Sequence, residues 1–155
     1  MMKIKIVAPG KIREKWLQEG ISEYVKRCSA SCKIEIVEVA VSPDSVPVDR
    51  GIYEEGQRIL SHIKQGDVVW AIDLHGKLLT SEEFSSHMIS DIERGGSSLT
   101  VVIGGSNGIA SEVTARANRR ICFGNMTMTH TLTRLVLMEQ IYRGFKIYEG
   151  SNYHK

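Results

Sequence analysis

The 155-residue chain is poor in the features that mark special classes of protein: three cysteines, three prolines, 6% aromatic residues and no long apolar run. Cys28, Cys32 and Cys122 are an odd set, which excludes a disulfide framework. Cys28 and Cys32 stand four apart, but no second Cys or His pair follows, and a structural zinc needs about four such ligands. No metal is expected. Nothing approaches the ~18–20 apolar residues that cross a bilayer. The opening Met1-Met2-Lys3-Ile4-Lys5-Ile6-Val7 lacks the apolar stretch and cleavage site of a signal peptide. The expectation is a cytoplasmic protein with no membrane partner. The chain also lacks both G-x-G-x-x-G and G-x-x-x-x-G-K-[ST], the two common phosphate-cradling loops.

What remains is ordinary globular material, 42% hydrophobic and 25% charged. A chain of this length buries a core without staples, and residues 1–155 read as one domain. The net charge of +2 hides a gradient. Residues 1–33 carry 8 basic against 3 acidic side chains, and residues 109–155 carry 7 against 3. The middle is acidic, with 3 against 7 over 34–67 and 2 against 5 over 68–108. Basic ends that met in the fold would suit a phosphate-bearing partner, though ordinary charge scatter reads equally well.

The hydropathy pattern alternates strand and helix. Strands are expected at 3–8 (KIKIVA), 33–41, 68–74 (VVWAIDL), 99–103 (LTVVI) and 120–123. Helices are expected at about 12–28, 52–63, 80–93, 110–118 and 130–147, the third opened by a Thr80/Glu83 capping signal. A proline-bearing loop covers 42–48. Apolar inner strands separated by helices imply an α/β fold with a mostly parallel sheet.

Four segments carry possible chemistry. Gly104-Gly105-Ser106-Asn107-Gly108 follows a buried strand directly, where open α/β sheets bind ligands, although a tight turn explains the glycines too. Phe123-Gly124-Asn125-Met126-Thr127-Met128-Thr129 combines small residues with soft thioethers that can cover a ring, or simply joins a strand to a helix. The helix from His130 is apolar on more than one stripe, including Leu132, Leu135, Val136 and Ile141, so a homodimer is the natural second face. Arg134 at its polar edge reads as a phosphate clamp, as a solvated surface charge or as a partner of Glu139. The tail, Tyr153-His154-Lys155, holds an imidazole that titrates near neutrality, at a position where disorder is the usual expectation.

Taken in order, these residues resemble the RlmH family of SPOUT-class methyltransferases, which methylate a pseudouridine of bacterial large-subunit ribosomal RNA. The resemblance rests on Val7-Ala8-Pro9-Gly10-Lys11, Glu55-Gly56-Gln57-Arg58-Ile59-Leu60, Leu74-His75-Gly76-Lys77 and Ser81-Glu82-Glu83-Phe84. It continues through Val102 to Gly108 and Arg134 to Arg143, and ends at Tyr153-His154-Lys155. It implies a SPOUT-type α/β fold with a deep trefoil knot at the C-terminus, an exception to the rule against knots. It implies an S-adenosylmethionine site at Ile72, Gly104, Phe123, Gly124, Asn125, Met126, Thr127 and Met128, and a homodimer. Tyr153 and His154 would be catalytic, from the opposite subunit, with Arg134 and Lys155 on RNA. The acceptor would be N3 of a pseudouridine of 23S rRNA in the assembled ribosome. The chain departs from the family at Thr129-His130-Thr131, where Pro-His-Gln is usual, and at Gly124-Asn125, where Lys or Ser often stands. Two other classes compete: a dehydrogenase-like nucleotide-binding enzyme and a non-catalytic ribosome-associated RNA-binding protein.

Overall fold

The computed structural model describes residues 1–155 and contains five strands and five helices in strict alternation. They are β1 (Met2–Pro9), α1 (Lys15–Cys28), β2 (Cys32–Val39), α2 (Val48–Leu60) and β3 (Val69–Leu78). The series continues with α3 (Ser81–Arg94), β4 (Ser98–Ile103), α4 (Ser111–Arg116), β5 (Arg119–Cys122) and α5 (His130–Tyr148). The sheet order is β2-β1-β4-β3-β5, and every pairing is parallel.

Period-two patterning explains how the sheet is covered. Ile4, Ile6, Trp70, Leu99, Val101 and Ile121 point to one face, where α1, α3 and α5 cover them with Leu17, Phe84, Met88, Leu137 and Phe145. Val7, Val39, Val69 and Val102 point to the other, beneath Ile59 of α2 and Val113 of α4. The result is helix layers on both faces, as an all-parallel sheet requires.

Local signals set the helix starts. Thr80 and Glu83 form a full capping box at α3: Thr80 Oγ1 accepts from the Glu83 amide at 3.1 Å, and Glu83 Oε1 accepts from the Thr80 amide at 2.9 Å. The helix α2 begins four residues before its apolar stripe, because Pro47 presets an extended entry and Asp49 complements the positive end.

Two expectations need correction. The third strand runs on to Leu78, because β5 pairs with both halves of it: Ile121 faces Ile72 and again Lys77. Residues 73–76 loop out between, and Gly76 permits the approach, since a Cβ there would lie 2.6 Å from the Ile121 amide nitrogen. Secondly, Ile141 is not on a free face. It is 1% exposed in the chain's own core, and α5 lies between α1 and α3, so most of its apolar girth is covered internally.

Asp91 is the buried charge that joins layers. Its carboxylate accepts from Trp70 Nε1 at 2.7 Å and Arg119 Nε at 3.1 Å, with Arg94 at 3.3 Å. Burial pushes its pKa up, but the hydrogen bonds from Arg119 and Trp70 more than offset this and hold it below the ordinary value. A depressed folded pKa gives stability that is present above about pH 4, the unfolded value, and fades as pH falls through the folded one. Asp91→Ala is expected to cost about 1–3 kcal/mol at pH 7, the usual penalty for leaving a buried donor, here Trp70 Nε1, without a partner. Urea unfolding checks this, and the difference from wild type should narrow by pH 3.

Candidate active site

The looped-out residues 73–76 within β3 and the segments that follow β4 and β5 (104–110 and 123–129) surround a cavity of about 730 Å³. Ile72, Leu74, Ile103, Ile109, Phe123, Met126 and Met128 give it apolar walls. Asp73, His75, Ser106, Asn107, Thr127, Thr129, His130 and Thr133 add polar groups. Of the residues expected at the cofactor, Ile72, Gly104, Phe123, Gly124, Met126, Thr127 and Met128 all line this space. Asn125 does not: it is exposed and stands outside the lining.

The glycine loop is shaped by its own backbone. Gly105 and Gly108 exchange amide hydrogen bonds of 3.2 and 3.1 Å, with Gly108 at φ +118°. A Cβ on Gly104 would lie 2.7 Å from the Gly108 carbonyl oxygen. The absence of a side chain at Gly104 is therefore required by the turn itself, independently of any ligand. Below the turn, Glu55 is buried and accepts from the Ser42 amide at 2.9 Å. The looped-out segment of β3 is fixed by Asp73, which accepts from Arg120 Nε at 2.7 Å and from the His75 amide at 3.2 Å.

His130 is a site residue that sequence reasoning passed over. It lines the cavity at the first position of α5, and its Nδ1 is buried without a partner. Burial first, and then the charge of Arg134, push its pKa below the ordinary imidazole value, so it is neutral at pH 7. Its position directly after a small-residue loop, at a helix start, was the available signal.

Arg134 is a correction. It is 1% exposed and points inward: Nη1 donates to Glu38 at 2.7 Å, and Nη2 to the carbonyls of Pro9 and Gly10 at 2.9 and 2.7 Å. A guanidinium so enclosed cannot reach a phosphate. It joins α5 to the ends of β1 and β2.

The tail is packed. The Tyr153 ring meets Tyr142 edge-on at 4.9 Å, the Arg143 guanidinium lies 4.8 Å over it, and its hydroxyl donates to Glu139 at 3.2 Å. Burial, reinforced by the Glu139 charge, pushes the Tyr153 phenol up to about 12. Tyr153 thus remains a donor at neutral pH and is unsuited to act as a base. His154 lies between Glu82 (Nε2 to Oε1, 2.7 Å) and Arg143 (Nδ1 to Nη1, 3.1 Å). Glu82, in the first turn of α3, is held below the ordinary carboxylate value by His154 and by its own amide. Lys155 is exposed. Neither Tyr153 nor His154 lines the chain's own cavity.

A parallel sheet with a glycine loop and a small-residue loop at its carboxyl edge defines a class, and the comparisons agree. A family model described as "Predicted SPOUT methyltransferase" matches residues 2–154, so the chain belongs to the SPOUT methyltransferase family. It is 46% identical over 159 residues to "Ribosomal RNA large subunit methyltransferase H" of Enterococcus faecalis, covering 99% of this chain and 100% of that one. The protein of the same name from Streptococcus pneumoniae is 48% identical, with the same coverage. Among solved structures, tRNA (m1G37) methyltransferase from Aquifex aeolicus superimposes with a TM-score of 0.55 at 14% identity, covering 92% of this chain and 69% of that one. That likeness concerns the fold.

Use of S-adenosylmethionine is general to this family. Thr127→Trp, at an exposed wall position, is expected to fill the cavity and weaken S-adenosylmethionine binding at least tenfold while leaving the melting temperature unchanged. Titration calorimetry beside thermal unfolding checks both.

Proposed function

We propose that this protein transfers a methyl group from S-adenosylmethionine to large-subunit ribosomal RNA, at N3 of a pseudouridine in the assembled ribosome. It acts in the cytoplasm as a homodimer whose C-terminal segment is threaded as a trefoil knot. The observation that carries the reading is the end-to-end identity of 46–48% with relatives named for ribosomal RNA methylation. The cavity supports it.

The donor fits the residues present. The cavity has the volume of a small-molecule site, with apolar and thioether walls for a flat heterocycle. The unpartnered Nδ1 of His130 offers a polar contact at its wall. Ile72, Gly104, Phe123, Gly124, Met126, Thr127 and Met128 would hold the donor, which supplies a methyl group activated on a sulfonium.

The chain's own work is to place the acceptor and handle its proton. Fixing two reactants in line supplies on the order of 7–11 kcal/mol of a barrier. The N3 imide must lose a proton as the N–C bond forms, and His154 would take it. Tyr153, kept protonated, would hydrogen-bond an acceptor oxygen. Both lie outside the cavity of their own chain, so the tail of a second copy is required to complete the site. Lys155 would hold RNA phosphates there. A purely RNA-binding role would leave the donor-sized cavity without use.

The test is transfer of tritiated methyl from S-adenosylmethionine to ribosomes lacking this modification. Deleting Tyr153–Lys155 is expected to preserve donor affinity and the sedimentation mass while abolishing transfer. His154→Ala is expected to lower the single-turnover rate about 10²-fold or more, the usual worth of a positioned base. A loss confined to a phosphate contact would instead weaken ribosome binding and flatten its salt dependence. Full transfer by the truncated chain would remove the tail from the mechanism.

A further inference from the structure

The proton positions on His154 follow from its two neighbours. Arg143 can only donate, because a guanidinium carries five N–H groups and no acceptor. Its Nη1 lies 3.1 Å from His154 Nδ1, so Nδ1 presents its lone pair and carries no hydrogen. The ring hydrogen is then on Nε2, which faces Glu82 Oε1 at 2.7 Å. Glu82 is ionised, its carboxyl being held below the ordinary range. Arg143 is itself fixed in direction by Glu139, whose Oε1 takes Nη2 at 2.5 Å and Nε at 3.1 Å. Glu139 also receives the Tyr153 hydroxyl. The charged groups facing the imidazole are thus Glu82 from α3 and Arg143 from α5, with Glu139 behind.

We infer that Glu82 is a positioning residue for methyl transfer: it binds the Nε2 hydrogen of His154 and so makes Nδ1 the nitrogen that accepts the substrate proton. The inference rests on the methyltransferase reading above and names a residue that acts through His154. The carboxylate fixes the tautomer and ring direction, and it stabilises the imidazolium once the proton has arrived. Arg143 occupies Nδ1 in the resting tail, and the acceptor's imide N–H displaces it when the tail engages substrate. The imide proton moves to Nδ1 as the N3–methyl bond forms and the sulfonium–methyl bond breaks. The imidazolium returns that proton to solvent afterwards, restoring the neutral ring. No proton leaves Nε2 at any point.

The second device in the cluster is separation of duties between the two carboxylates. Glu82 bonds the imidazole and touches neither Arg143 nor Tyr153, whereas Glu139 serves both of those. Removing Glu82 should therefore disturb proton transfer and leave the packing of Tyr153 intact. Glu82 is exposed, so its loss spares the fold.

Glu82→Gln, His154→Ala and the double variant are compared in single-turnover methyl transfer to unmodified ribosomes. Expected is a loss of about tenfold or more in the rate for Glu82→Gln, with ribosome KM and donor affinity unchanged. Glu82→Gln should add no further loss on top of His154→Ala, because the two act as one unit. Wild-type turnover by Glu82→Gln, or a full multiplicative loss in the double variant, would overturn the inference. Long-range ¹H–¹⁵N spectra of the His154 ring provide a readout independent of turnover. The wild-type ring should show hydrogen on Nε2 and a bare Nδ1, and Glu82→Ala should erase that preference. An Nδ1-protonated ring in the wild type would overturn the inference. Failure of the wild-type protein to methylate ribosomes would instead remove the functional reading, and the ring spectra would still report on the pair.

Discussion

The carboxyl edge of the sheet depends on one buried guanidinium. Arg134 binds the last two carbonyls of the first strand turn and a carboxylate of β2, and it does so from the second turn of the longest helix. An ion so enclosed needs hydrogen bonds and a close counter-ion, and here three of its five N–H groups are taken, with Nε the one nitrogen left without a partner. The geometry has no slack: shifting α5 along its axis would break three hydrogen bonds at once. The start of α5 is thereby held against the end of β1, and a Cβ on Gly10 would lie 3.8 Å from the His130 ring. His130, Thr133 and the loop leading into them inherit their positions at the cavity from that restraint.

Most of the architecture was legible because it is written in short-range signals. Alternation marked the strands, the Thr80/Glu83 pair marked a helix start, and continuous apolar runs at 68–72 and 99–103 announced strands covered on both faces. The order of those strands was not legible, since parallel pairing across crossovers leaves no local trace. The loop inside β3 was hidden for the same reason: only its pairing with β5 on both flanks reveals that the strand resumes.

The loops that line the cavity were visible in the sequence, whereas the placement of individual side chains was not. Gly104, Gly124 and the segment 126–128 announced themselves by composition. Arg134 misled because a guanidinium offers the same five donors to a phosphate as to a carboxylate and two carbonyls, and only tertiary placement separates them. Asn125 sits beside lining residues in sequence yet turns outward. His130 lacked any composition signal of its own. The tail, expected to fray, is held by aromatic edges and paired charges that come from residues 11 to 72 positions away.

The strand order also bears on how the chain matures. The central strand of the sheet, β4, is the fourth to be synthesised, and it pairs with both β1 and β3. Until it emerges, β1 has only β2 beside it and β3 has no partner at all. Nearly two-thirds of the polypeptide must leave the ribosome before the sheet can close. Non-local pairing of this kind is slow, and open strand edges attract other nascent chains in the interval. The placement of a late strand at the centre thus delays closure of the sheet and lengthens the interval in which its strand edges stand open.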